Sequence, residues 1–287
     1  MAKRPHRRPW KRYKALRFSN SLITMQIPYY KYQGTGYEFI LFDQRVLQFL
    51  QRTDLHRVHQ LCDRRFGIGA DGLILLQNRT GYDFEMVYFN ADGQESSMCG
   101  NGGRCIAAFA QHLGIVDERA HFLAIDGPHE ALVRADQWVD LKMSDVDRVQ
   151  IRPDHYELDT GSPHYVTFVE DVDDIQVVEN GQAIRYSKAY RAAGINVNFV
   201  EKRAVGISVL TYERGVEDET LSCGTGVTAA AIAYYLDAPS AERQTVDIQT
   251  KGGQLRVRFR PDERSGFRDI WLGGPATRVF RGSIRVD

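Results

Sequence analysis

From residue 26 onward the apolar residues of this chain fall mostly into short runs of strand length, separated by glycine, proline and acidic turns. Ile27–Gln33 and Phe39–Phe42 read as strands around the loop Gly34–Glu38, and Thr53-Asp54 reads as the cap of an amphipathic helix that runs to Asp63. Arg65–Gly72 is a glycine-rich loop before the strands Leu73–Gln77 and Phe84–Phe89. It has no G-x-x-x-x-G-K-[ST] pattern and no strand–loop–helix order, so a nucleotide-binding reading is set aside. The alanine-rich run Ile106–Ala110 predicts a helix, strands follow near His121–Ile125, Glu130–Arg134 and Trp138–Met143, and acidic turns over Ser144–Arg152 mark a boundary. The second half repeats the scheme. A loop at Gly161–Tyr165 leads to strands near Val166–Val169, Val197–Val200 and Ile207–Tyr212, a second alanine-rich helix over Ala229–Ala233, and strands near Val246–Thr250, Leu255–Phe259 and Ile270–Leu272. Strands outnumber helices without regular βαβ alternation, so the expected fold class is α+β.

The two halves also share a phrase. Glu95-Ser-Ser-Met-Cys99-Gly-Asn-Gly102 and Glu219-Thr-Leu-Ser-Cys223-Gly-Thr-Gly226 follow one pattern, E-[ST]-x-x-C-G-x-G, at a spacing of 124 residues. The offset holds upstream, where Leu76 aligns with Val200, Arg79 with Arg203 and Tyr88 with Tyr212, so a duplicated domain is the simplest reading. Each cysteine follows this phrase into an alanine-rich helix through a glycine turn, which leaves backbone N–H groups free at the helix start. Such a position is expected to lower the thiol pKa toward neutrality and to hold a carboxylate.

Composition narrows the class. A chain of 287 residues is long enough for two domains, and 43% hydrophobic content without an apolar run near 18 residues indicates a soluble protein with no membrane span. Four cysteines, Cys62, Cys99, Cys105 and Cys223, do not make a disulfide scaffold, so a cytoplasmic, reducing location is expected. The formal net charge of zero conceals a basic start: residues 1–24 carry eight Lys/Arg and no acid, leaving 29 basic against 37 acidic side chains beyond them, net −8. This segment lacks the apolar core of a secretory signal, and residues 1–25 are expected to be a disordered or spurious extension. Neither half shows a nucleic-acid recognition motif.

If the duplicated cysteines face each other across an interdomain cleft, one thiolate removes a proton from a carbon acid on one face while the opposite thiol protonates the other face. That inverts a stereocentre. Amides at Gly100-Asn101 and Gly224-Thr225 would hold the substrate α-carboxylate. Cys62 and Cys105, on apolar helical faces without the duplicated turn, read as small buried hydrophobes. No spacing supplies the three or four close ligands of a zinc site, so no metal is expected. A Cys–His hydrolase would leave the second copy unexplained.

Several ordered motifs resemble diaminopimelate epimerase from about Gln26 to the end: Lys31–Gly36, Phe66–Leu75, Phe89–Gly93, Met98–Cys105, Gly161–His164, Asn196–Phe199, Tyr212–Gly215 and Ser222–Gly226. The resemblance implies a cofactor-independent two-base epimerase that interconverts LL- and meso-2,6-diaminopimelate for lysine and peptidoglycan synthesis. It implies two pseudo-symmetric domains, 26–146 and 147–275, each a curved sheet around a central helix with the active site between them, and a C-terminal strand over 276–287 that returns to the first domain. It also implies a homodimer. Carried over by motif, Cys99 and Cys223 become the acid and base, while Asn90, Asn196, Glu213 and Arg214 clamp the distal end of the substrate. An arginine fork and an acidic side chain suit the second carboxylate and ammonium of diaminopimelate. His164 is placed near the cysteine pair as a supporting residue.

Two positions depart from the family pattern. Gly36-Tyr37-Glu38-Phe39 stands where the family has Gly-Asn-Asp-Phe, so a phenol replaces a substrate-binding amide at Tyr37. Ser162 stands where many members have asparagine and keeps a hydrogen-bonding group. The rival readings are a proline racemase-like or hydroxyproline epimerase-like enzyme, whose substrate lacks a distal charged arm, and a catalytically inactive binding protein on the same scaffold. A pyridoxal-phosphate racemase is weaker, because Lys251 has no recognisable phosphate cradle.

Overall fold

The computed structural model describes residues 25–134, 136–262 and 266–286, so the basic segment 1–24 lies outside the described residues. The first half contains β1 (Met25–Gly34), β2 (Tyr37–Asp43), α1 (Leu55–Cys62), β3 (Gly72–Gln77), β4 (Phe84–Asn90), α2 (Gly100–His112), β5 (Arg119–Ala124), β6 (Gly127–Val133) and β7 (Trp138–Lys142). The second contains β8 (Val149–Ile151), β9 (Tyr156–Asp159), β10 (Pro163–Val169), α3 (Val177–Arg185), β11 (Asn196–Lys202), β12 (Ile207–Glu213), β13 (Asp218–Thr220), α4 (Gly224–Asp237), β14 (Thr245–Thr250), β15 (Gly253–Pro261) and β16 (Phe267–Pro275), and the chain closes with β17 (Thr277–Val286).

The pairing order is written twice. β1–β2 is antiparallel, β2–β3 parallel, β3–β4 antiparallel, β4–β5 parallel and β5–β6 antiparallel. The same alternation runs through β9–β10, β10–β11, β11–β12, β12–β14 and β14–β15. β7 adds to β6 and β16 adds to β15, and these two equivalent strands then pair with each other, Leu141 opposite Leu272. The halves are thereby joined through one continuous hydrogen-bonded sheet. β17 returns to lie antiparallel to β1, with Ile284 opposite Ile27.

Each half wraps its strands around one helix. α2 packs against β1, β2, β3, β6 and β7, and α4 against β9 to β12, β14 and β15. Val227 and Ala229–Ala233 are all buried, as expected for a helix that is apolar all round. The smaller helices cover the outer faces. Strands between two layers read as continuous apolar runs: Phe39 and Leu41 join the inner core with Ile106 and Phe109, while Ile40 and Phe42 join an outer cluster with Val58 and Cys62 of α1. In the second half Val197 and Phe199 face an outer cluster with Val177 of α3, and Val200 faces the inner core.

The α+β class holds, and most expected strands and both alanine-rich helices are present. α1 ends at Cys62 with Asp63 as its C-cap, yet Asp54 makes no side-chain cap bond; its carboxylate accepts from the Gln51 amide at 2.7 Å. β8, β9, β13 and α3 were not anticipated. α3 is short and interrupted by Gly181, and tertiary packing makes it: a Cβ at Gly181 would lie 2.4 Å from the Tyr212 side chain, so the glycine lets the helix seat directly on β12. His164 and Tyr165, expected in a loop, stand in β10. No helix among the described residues is long and apolar enough to cross a membrane.

Candidate active site

Cys99 and Cys223 occupy the N-cap positions of α2 and α4, one in each half, with extended backbone that releases the first-turn amides. The two helix starts meet. A Cβ added to Gly224 would lie 3.5 Å from the Gly100 Cα and 3.0 Å from the Leu272 side chain, so glycine at both positions permits this approach. The junction is tied by the Asn101 side-chain N–H, which donates to the Ser222 carbonyl at 3.3 Å. All four cysteines are free, and Cys62 and Cys105 are buried among apolar neighbours.

Closure corrects the expectation of low thiol pKa values. Burial raises the Cys99 thiol, against the amides of Gly102 and Asn101 that point at its sulfur, while the Glu213 carboxylate raises it further and Arg104 lowers it. Burial likewise pushes Cys223 up to about 12, with Glu213 adding to the effect and the Thr225 hydroxyl and Gly226 amide opposing it. Desolvation of the anion outweighs the helix N-terminus here. In this closed cleft the Asn101 and Gly102 amides serve the Cys99 sulfur and the Gly226 amide that of Cys223.

A directed chain of hydrogen bonds supports Cys223. Asn198 Oδ1 accepts from the Thr211 hydroxyl at 3.0 Å, and its Nδ2 donates to the Tyr165 carbonyl at 3.0 Å, which fixes the amide orientation. Nδ2 therefore also donates to His164 Nδ1 at 3.1 Å, placing the imidazole proton on Nε2. Nε2 donates to Thr225 Oγ1 at 2.9 Å, and the Thr225 hydroxyl faces Cys223 Sγ at 3.4 Å. Burial, with Arg214 as the lesser cause, lowers the His164 pKa to about 3, so the ring is neutral. Asn198 and Thr211 were not singled out from the sequence. The signal was present: Asn196 and Asn198 alternate with Val197 and Phe199, which puts two amides on one face of a strand.

The remaining predicted residues divide into two groups. Arg214 donates through its backbone N–H to Asn196 Oδ1 at 2.8 Å and through Nη2 to the Ser162 hydroxyl at 3.3 Å, while Asn196 Nδ2 donates to Ser162 at 2.9 Å. Glu213 turns the other way. Its carboxylate accepts from the Tyr37 hydroxyl at 3.5 Å across the two halves and acts on both cysteines; burial raises its pKa. Glu213 and Arg214 form no ion pair among the described residues. Tyr37 is half-buried, its phenol held neutral by burial first and by Glu213 second, with Cys99 and Cys223 also in range. Asn90 ends β4 opposite Gly72, on the strand that carries Tyr88 toward Cys99. Lys251 pairs with Glu219 at 2.7 Å on the surface. A cavity of about 660 Å³ is lined by Arg134, Trp138, Arg203, Arg256 and Trp271 and contains none of the predicted site residues.

Comparison with known proteins gives this geometry a context. Among solved structures, a phenazine biosynthesis protein of the PhzF family from Bacillus anthracis superposes with a TM-score of 0.71 at 13% identity, covering 91% of this chain and all of that one. A hydroxyproline epimerase from Agrobacterium vitis superposes with a TM-score of 0.63 at 13% identity, over 91% of this chain and 93% of that one. These likenesses establish the duplicated fold. In sequence, the diaminopimelate epimerase of Flavobacterium psychrophilum is 48% identical over 256 residues, 89% of this chain and 99% of that protein. The diaminopimelate epimerase of Chlorobaculum tepidum is 42% identical over 262 residues, 88% of this chain and 99% of that protein. The diaminopimelate epimerase family model matches residues 29–149 and 156–279, and with two duplicated cysteines meeting at paired helix starts, this chain belongs to that family.

Proposed function

We propose that this protein is an isomerase that interconverts LL- and meso-2,6-diaminopimelate, with Cys99 and Cys223 as the two proton-transfer groups and no cofactor. The observation that carries the reading is the meeting of two N-capping cysteines from equivalent helices, with Gly100 and Gly224 in backbone contact. One cysteine, as thiolate, takes the α-hydrogen as a proton. The electron pair left on carbon spreads onto the α-carboxylate, which the amides at Gly100, Asn101, Gly224 and Thr225 hold. The opposite thiol gives its proton to the other face, so the stereocentre inverts and the two sulfurs have exchanged protonation states.

Arg214, Asn196 and Ser162 form a ready cradle for the distal carboxylate, and Asn90 completes it from the first half. Glu213, turned toward the cysteines beside Tyr37, is the proposed partner of a substrate ammonium: it is a half-buried carboxylate whose raised pKa falls when a cation arrives. The division into 26–146, 147–275 and a returning strand over 276–287 is the proposed domain organisation, supported by the repeated pairing order and by β17 lying on β1. A cytoplasmic homodimer of use in lysine and peptidoglycan synthesis is the proposed working form. The free cysteines fit a reducing compartment. The test is solvent deuterium incorporation into LL-diaminopimelate by the purified protein, where label appearing at one α-carbon together with the meso product is expected. Absence of label at that carbon would overturn the reading.

A further inference from the structure

Arg104 takes no part in the chemistry above, yet it is the largest fully buried side chain among the described residues. It lies on α2 one turn beyond Cys99. Its Nη1 donates to the Gly100 carbonyl at 3.3 Å, and its Nη2 to the Thr35 hydroxyl at 3.1 Å and the Asn101 side-chain carbonyl at 2.9 Å. All three acceptors are neutral, and the Nε–H is buried without a partner. β1 and β16 close over the guanidinium at Gly34 and Gly274, where only glycine backbone faces it. A fully buried guanidinium whose charged neighbours are the Cys105 and Cys99 thiols and no carboxylate is a costly arrangement, and an anion beside it lowers that cost.

The second half has no such group. The position equivalent to Arg104 at the 124-residue offset is Thr228, whose hydroxyl returns to the Gly224 carbonyl at 2.9 Å. Facing Cys99 are Arg104 and Cys105 from its own helix, Tyr37 from β2, Tyr88 from β4, Glu213 from β12 and Cys223 at the head of α4. Arg104 is the one cation in that set. Cys105 is itself faced by Tyr32 from β1.

We propose that Arg104 is a positioning residue that makes the α2 end of the cleft the place where negative charge resides, favouring the Cys99 thiolate over the Cys223 thiolate while bracing the Asn101 turn. The duplicated motif is thus symmetric in its sulfurs and asymmetric in the charge beneath them. This inference rests on the two-cysteine reading for its catalytic meaning, but its test uses no substrate, so the two fail separately.

The experiment is iodoacetamide labelling of the substrate-free protein across a pH series, with peptide mass spectrometry giving a midpoint for each cysteine. Midpoints are compared because unequal access changes the rate and not the midpoint. An opposite charge in close range shifts a titration by about 1–3 pH units, so the Cys99 midpoint is expected at least about one unit below that of Cys223. Arg104→Gln, which keeps donors but not charge, is expected to raise the Cys99 midpoint by about one unit, equivalent to about tenfold less thiolate below it, and to leave Cys223 unmoved. Arg104→Lys keeps the charge and is expected to keep the order. A Cys99 midpoint equal to or above that of Cys223 in the unaltered protein overturns the proposal, whether or not a variant folds. An unshifted Cys99 in folded Arg104→Gln also overturns it.

Discussion

Replacing Tyr37 by Phe removes one hydroxyl from the point where the two halves meet around the cysteines. The phenol is neutral and donates to Glu213 Oε2 at 3.5 Å, the long limit for such a bond, so its contribution falls in the ordinary range of about 0.5–1.5 kcal/mol and not in the stronger charge-assisted range. That predicts a fall in kcat/KM for diaminopimelate of about two- to twelvefold. Because Glu213 is proposed to meet a substrate ammonium, the fall should appear mainly in KM. Asparagine at the same position is too short to reach Glu213, but it returns an amide to the cleft and opens space beside both sulfurs. Tyr37→Asn is therefore expected to raise kcat/KM above that of the unaltered enzyme. Chiral chromatography of LL- and meso-diaminopimelate over time gives both constants, and thermal unfolding separates a loss of fold from a loss of contact. If both variants match the unaltered enzyme, Tyr37 does not touch the substrate and its departure from the family pattern carries no consequence for specificity.

Cys99→Ala and Cys223→Ala should each abolish epimerisation with the fold intact, and near-normal turnover by either single variant sinks the two-base scheme. A mild thiol oxidant such as diamide, which accepts the two electrons and two protons of the thiols, should link Cys99 to Cys223 and inactivate the enzyme reversibly; peptide mapping that finds both free in the inactive protein refutes the closeness inferred from Gly100 and Gly224. Arg214→Lys should lower kcat/KM substantially even though the charge is kept, since an ammonium cannot reproduce the planar fork; full removal of a charge-assisted pair costs about 1.5–3 kcal/mol, about ten- to a hundredfold. An unchanged constant would place Arg214 outside the site. His164 is held neutral down to about pH 3, well below its unfolded value, so the stability it contributes is complete above about pH 6.5 and is lost as pH falls toward 3. His164→Gln should flatten that acid limb in urea titrations, and an unaltered limb would mean the imidazole titrates freely.

Much of this site was legible because duplication writes the same local chemistry twice. The phrase around Cys99 and Cys223 predicts helix starts from its glycine turn and the alanine-rich run that follows, and apolar runs such as Phe39–Phe42 announce strands, which the structure covers on both faces. What escaped the sequence depends on contacts between distant segments. α3 forms because Gly181 admits Tyr212, and Asn198 matters because β10 brings His164 beside it from 34 residues away. The thiol environment escaped for the same reason. A cysteine at a helix start looks acidic when the helix is read alone, and only the closure of one half on the other reveals that desolvation reverses the shift.

That reversal bears on how the two sulfurs share one proton. Burial disfavours each thiolate, Glu213 disfavours both, and each sulfur's charge disfavours ionisation of the other, so a doubly ionised pair is the least favoured state of the closed cleft. A doubly protonated pair has no base. In the proposed two-base scheme the working state carries one thiolate and one thiol, and stereoinversion in both directions requires that either sulfur can take either role. Identical surroundings would leave that choice to chance, whereas strongly unequal ones would trap the proton and make one direction slow. The structure lies between these extremes: neutral donors from Thr225 and His164 attend Cys223, a guanidinium lies beneath Cys99, and the same carboxylate faces both. In the proposed pairing of Glu213 with a substrate ammonium, the destabilisation that the two sulfurs share is removed while their difference stays in place. Substrate binding should therefore lower both thiol pKa values together, which makes the closed cleft productive only when it is filled.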